Sequence, residues 1–160
     1  AWLEGVKANL ARKPQGNDRA QVKAVKEGVC DLAIGNTYYF GKMLHNTKEP
    51  EQIEWANSVN LIFPNQADRG AHMNITGAAV AKYAPNKNNA VKLLEYLSDS
   101  KAQQMYAQVN YEFPVKPGTP LTGLVQERMS NFKADSLSLA TIAENRSKAA
   151  KLVDKVQFDH

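Results

Sequence analysis

Apolar residues recur along this chain first at helical and then at strand spacing, and that alternation sets the expected elements. Trp2, Leu3, Val6 and Leu10 share one helical face and predict a helix from Trp2 to Ala11. Residues 14–18 (PQGND) break the pattern, and Asn17 or Asp18 supplies an N-cap for a second helix carrying Val22, Ala24 and Val25 up to Gly28. The run 29–34 (VCDLAI) is nearly continuous and apolar and stops at Gly35, as a buried strand of a parallel sheet does. Thr37 to His45 reads as a third helix, and Pro50 to Asn57 as a short fourth with Pro50 in its first turn. Residues 59–63 (VNLIF) form a second expected strand, stopped by Pro64, and Met73 to Ala81 a third, interrupted by Gly77. Residues 85–89 (PNKNN) open a helix with Ala90, Val91, Leu94 and Leu97 on one face, and a further helix covers Lys101 to Gln108. Residues 111–115 (YEFPV) are extended, and Pro117, Gly118 and Pro120 mark a turn. The remainder reads as helix, around Leu121, Leu124 and Val125 and then from Leu139 to Val153. Helix, strand and helix in succession is the rhythm of an α/β fold. Three strands among so many helices make too little sheet for a balanced domain, so further strands are expected outside this stretch.

Composition narrows the class. The 160 residues are 43% hydrophobic and 22% charged, as in an ordinary folded domain. The net charge of +4 is scattered over helix faces, which reads as solvation and not as a nucleic-acid footprint. No stretch approaches the roughly 18 uninterrupted apolar residues of a membrane helix. The chain opens at residues 1–5 (AWLEG) already inside an amphipathic pattern, with no initiator Met or leader, so the expectation is a fragment or a processed piece. A single cysteine, Cys30, excludes a disulfide within the chain and any multi-thiolate metal site, and its plain reading is a small buried hydrophobe.

The most unusual local feature is residues 35–39 (GNTYY), directly after the first expected strand. Ligands of open α/β sheets bind beyond the carboxyl ends of strands. Tyr38 and Tyr39 sit where the chain turns into a helix, so both can face one cleft, whereas in a strand they would point to opposite faces. A phenol ionises near pH 10 unless a strong cation holds the anion, and hard, highly charged metals favour anionic oxygen ligands. Paired phenolates therefore suit ferric iron. Packing of two aromatic residues at a helix start explains the same dipeptide, and the residues alone leave both readings open. Asn36 and Thr37 divide likewise between capping the helix and holding an anion at its N-terminus.

Taken together, residues 13–19 (KPQGNDR), 28–31 (GVCD), 35–39 (GNTYY), 70–77 (GAHMNITG) and 84–86 (APN) resemble the periplasmic ferric-iron-binding proteins, the substrate-binding components of ferric ABC transporters. The resemblance runs from Ala1 to about Gly118 and more loosely through the tail. It implies an α/β fold of the periplasmic-binding-protein type II, transferrin-like architecture, of which this chain is the C-terminal portion only. Residues 1–68 would lie in the C-terminal lobe, 69–119 would return to the N-terminal lobe through a hinge crossing, and 120–160 would pack as a helical tail on the C-terminal lobe. It implies Fe(3+) held by the phenolates of Tyr38 and Tyr39, with a synergistic anion and upstream ligands outside this chain. Asn17, Arg19 and Asn36 are the residues it suggests for the anion or for contacts behind the tyrosines. It further implies a periplasmic location, an ABC permease of the inner membrane as partner, and for Cys30 a disulfide to an upstream cysteine.

The expected function is thus capture and delivery of ferric iron, not catalysis. The alternative within the same architecture is an organic or oxyanion ligand with the tyrosines as an aromatic wall. A hydrolase or transferase lacks support, since the chain has no nucleophile elbow, P-loop or paired-carboxylate motif. A domain that kept the fold and lost its ligand is the remaining rival. His45 is expected to complement a helix C-terminus, His72 to sit at a surface or hinge, and His160 has no readable role.

Overall fold

Local chemistry starts most of the helices where the pattern puts them. The computed structural model describes residues 1–158. Helix α1 spans Trp2–Ala8 and α2 Asp18–Lys26. The Asn17 side chain caps α2 by accepting the Ala20 N–H at 3.1 Å. Helices α3 (Thr37–Leu44) and α4 (Glu51–Asn57) follow, with Pro50 at the α4 N-cap, where its missing N–H costs nothing. Helix α5 spans Lys87–Leu97, and α6 (Ser100–Met105) widens into a π-helical turn, Tyr106–Asn110. A second π-helical turn, Val125–Met129, precedes α7, Leu139–Val156, which Ser138 caps through the Thr141 N–H at 3.1 Å. The far end of α7 meets α1: Lys7 Nζ donates to the carbonyls of Val156 and Gln157 at 2.9 and 2.6 Å, a cation where the helix dipole favours one.

One core joins distant parts of the chain. Phe40 and Met43 on α3, Ala56 on α4, and Ala107, Val125 and Met129 from the two π-helical turns are buried together. Val59, Leu61 and Phe63 pack against this cluster from one side of their segment. The α3 backbone comes so close to Tyr111 that a Cβ at Gly41 would overlap its ring. Tyr111 holds φ of 61° and stacks on His45, ring centroids 5.3 Å apart. Gly41→Ala is therefore expected to destabilise the fold by about 1–3 kcal/mol, the usual cost of overpacking, read as a lowered midpoint in urea unfolding.

The expected strands 29–34, 59–63 and 73–81 form neither helix nor paired strand, and the first bends at Val29 and Asp31. Among the described residues the sole β pairing is an isolated parallel bridge between Ala71 and Ala134. That bridge clips the chain after residue 66 to its tail: Ala71 N donates to Lys133 O and Asp135 N to Ala71 O, both at 2.8 Å. Gly70 makes the approach possible, because a Cβ there would strike the Lys133 and Ala134 main chain and its φ is +97°. The physical reason for the missing ladders is that a strand is defined by a neighbour. Apolar patterning shapes the segment, but nothing within 1–158 lies alongside it.

Candidate metal centre

Helix α3 begins with the two tyrosines, and its start is tied down from α2. Asp18 Oδ1 accepts from Asn36 N at 2.7 Å and from Asn36 Nδ2 at 3.2 Å. Gly35 lets the chain pass the carboxylate, since a Cβ there would sit 3.2 Å from the same oxygen. Asn36 in turn accepts from Asn74 Nδ2 at 3.0 Å, linking residue 74 to the α3 N-terminus. Removing a charged acceptor of this kind costs about 1.5–3 kcal/mol. Asp18→Ala is accordingly expected to loosen the start of α3, seen as faster amide exchange at Asn36 with α5 and α7 unaffected.

The Tyr38 and Tyr39 rings lie side by side, centroids 4.3 Å apart and planes tilted by 34°. Cations stand over both: Lys42 Nζ lies 4.9 Å from the Tyr38 centroid and the Arg19 guanidinium 5.1 Å from that of Tyr39. Arg19 Nε is shut off from solvent and has no hydrogen-bond partner, a costly state for a charged donor. The Tyr38 phenol is pushed up to about 12, first by its hydrogen bond with Tyr39, then by burial, by the neighbouring Tyr39 oxygen and by the negative charges of Asp18 and Glu112. Without a cation it stays protonated at any ordinary pH. Burial also raises the Tyr111 phenol, which packs against the core and takes no part in this site.

The structure thus brings Tyr38, Tyr39, Arg19 and Asn36 to one corner between α2 and α3. Asn17 is adjacent, but its side-chain oxygen is occupied in capping α2. Asp18 and Asn74 were not singled out from the sequence as partners of Asn36; they lie 18 and 38 residues away, and no local pattern links polar residues across such distances. Lys42 could have been found, because it falls one turn after Tyr38 on the same helix. His45 caps the end of α3 through Nδ1 and the Gly41 carbonyl at 3.0 Å, and His72 is exposed. His160 lies outside the described residues. Cys30 is a free, half-buried thiol in this chain. No group of three or more His, Cys, Asp or Glu side chains is placed to hold a metal among the described residues.

No family model matches the chain. Relatives by sequence and structure are plain. Iron uptake protein A1 of Synechocystis sp. is 43% identical over 155 residues, which is 97% of this chain and 42% of that protein. The major ferric iron-binding protein of Neisseria meningitidis is 28% identical over 154 residues, 96% of this chain and 44% of its own length. Among solved structures, ferric iron-binding protein A of Mannheimia haemolytica in an open conformation superposes with a TM-score of 0.89 at 52% identity, covering 99% of this chain and 49% of that one. A Trichodesmium protein in complex with iron and citrate ligands superposes with a TM-score of 0.88 at 40% identity over 98% of this chain and 49% of its own. These relatives are named for binding and uptake of iron, not for a reaction. The chain spans about half the length of the relatives it matches. Along nearly its whole length, the chain is similar to ferric iron-binding proteins, and it superposes on about half of each of their α/β periplasmic-binding-protein folds.

Proposed function

We propose that this chain supplies one side of a ferric-iron site, with Tyr38 and Tyr39 as phenolate ligands at the start of α3. The carrying observation is the pair of phenols held side by side on an anchored helix start, in a chain homologous to ferric-binding proteins. Ferric iron is small and highly charged, and displaces the proton that the Tyr38 phenol retains in the empty site. Two phenolates leave coordination positions for ligands outside this chain and for an anion. Arg19, with its unmet Nε donor, and Asn36 are the residues we assign to that anion, with Asn17 next to them. The complex with iron and citrate in the Trichodesmium relative supports an anion of carboxylate type.

In the complete fold the site would lie between two lobes. Residues 1–68 and 120–160 would belong to one lobe, this chain's portion being the C-terminal one, while 69–119 return to the other. The Asn74–Asn36 bond joins that stretch to the start of α3, and Ala107 shares one core with Phe40 and Val125, so the two portions are in direct contact in this chain. Closure in the periplasm would then present the loaded protein to an ABC permease of the inner membrane. The test uses a completed chain: this sequence joined, in the relative's own order, to the half of the Mannheimia haemolytica protein that the match leaves out. Titration with a ferric chelate should produce a visible phenolate-to-iron charge-transfer band. A folded, iron-loaded sample without that band would refute phenolate ligation, and binding of an organic ligand with no metal signal would favour an aromatic-wall site instead.

A further inference from the structure

Asn74 and Thr76 tie an exposed stretch of chain to the tyrosine helix at two points. Asn74 Nδ2 donates to Asn36 Oδ1 at 3.0 Å, and its own Oδ1 accepts the Ile75 N–H at 3.0 Å, so both ends of that amide are committed. Two residues on, the Thr76 hydroxyl donates to Glu112 Oε2 at 2.8 Å. Glu112 follows Tyr111, whose ring stacks on His45 and lies against Gly41. Gly41 is three residues after Tyr38, about one turn along α3. The phenol pair is thus bracketed. Asn36 and Asn74 hold the stretch just ahead of it, and Thr76 fixes a carboxylate that follows directly on the α3 contact of Tyr111.

Stability alone does not account for this arrangement. Asn74 and Thr76 are exposed, where water competes for the same partners. Glu112 is half-buried, and among the described residues no cationic side chain pairs with it. Taking a carboxylate partly out of water without a cation costs stability. Its charge bears on the Tyr38 phenol together with that of Asp18, while Lys42 and Arg19 stand over the two rings. A trivalent cation arriving at the phenols meets two positive side chains, and the two carboxylates offset them. The charge is misplaced in the empty protein and well placed once a cation is bound. We infer that Glu112 is the charge-balancing carboxylate of the ferric site and that Thr76 is the residue that positions it, with Glu112 itself outside the coordination shell. The inference rests on the phenolate reading and adds to it two residues that are not ligands.

Ferric titration of the completed chain against a competing chelator, with the visible band recorded alongside, is the test. Glu112→Gln keeps the side-chain length and an oxygen for the Thr76 hydroxyl, and removes the charge. Ferric affinity should fall by about 10- to 100-fold while the band persists and the iron-free unfolding midpoint matches the parent. Thr76→Val should lose part of the same affinity, and Thr76→Ser should recover it. Because Thr76 acts only through the carboxylate, adding Thr76→Val to Glu112→Gln should cost nothing further. Additive losses in the double variant, or a lowered midpoint that accounts for the lost iron, would overturn the inference. So would a loss well beyond a hundredfold in Glu112→Gln, which would make Glu112 a ligand. A folded parent without the band overturns the phenolate reading and this inference with it. A parent with the band and an undiminished affinity in Glu112→Gln overturns this inference alone.

Discussion

Replacing Tyr38 or Tyr39 with phenylalanine in the completed chain is expected to weaken the visible iron band in each single variant and to remove it in the double. Phenylalanine keeps the ring, the 4.3 Å neighbour contact and the cation above each face, and deletes only the oxygen. Loss of packing therefore contributes little, and thermal unfolding of the iron-free variants should match the parent. Ferric affinity should fall by more than the roughly 10- to 100-fold that loss of an outer-shell partner costs, because a ligand itself is gone. Lys42→Met provides the contrast. It removes a charge one turn away and should change affinity modestly while keeping the band. Equal losses in the Lys42 and tyrosine variants would mean that the site reads charge and not phenolate ligation.

Ferric affinity should also rise steeply with pH, by about tenfold per pH unit for each phenol that must ionise and so by up to about a hundredfold for the pair. The sign follows from the Tyr38 phenol, raised to about 12 beside the Tyr39 hydroxyl and the charges of Asp18 and Glu112. Below that pH the empty site is protonated, binding releases the proton, and added acid drives the iron off. Competition against a chelator of known protonation, between pH 6 and 8, gives the slope directly. A slope near zero would mean that the phenols remain neutral in the complex. A Tyr39→Phe variant should bring the Tyr38 phenol closer to its ordinary value, since its first cause of elevation is removed.

The helices were legible because their signals are local. Asn17 three residues before Ala20, Pro50 at the opening of α4 and Ser138 before α7 each act within one turn of the chain. Strand segments were legible as apolar runs but not as a sheet. Leu32 and Ile34 are apolar as in any buried strand, yet pairing depends on a neighbour that a single run cannot specify. The same division holds at the site. The tyrosine pair stands out from its place after an apolar run, and its meaning came from five short motifs in a fixed order. The Asp18–Asn36–Asn74 relay that anchors it was invisible, because polar residues at separations of 18 and 38 carry no periodic signature.

What the sequence determined by itself is the α/β rhythm, the strand-to-helix junction that presents two phenols, and the resemblance to ferric-binding proteins. Those depend on residue type and near-neighbour spacing. Only the tertiary structure decided which side chains surround the phenols, why the Tyr38 proton is held so firmly, and which apolar segments stay bare. Electrostatic environment and burial are properties of what lies nearby in space, and α2, α3 and residues 70–77 come together only when Phe40, Met43 and Ala107 close the core.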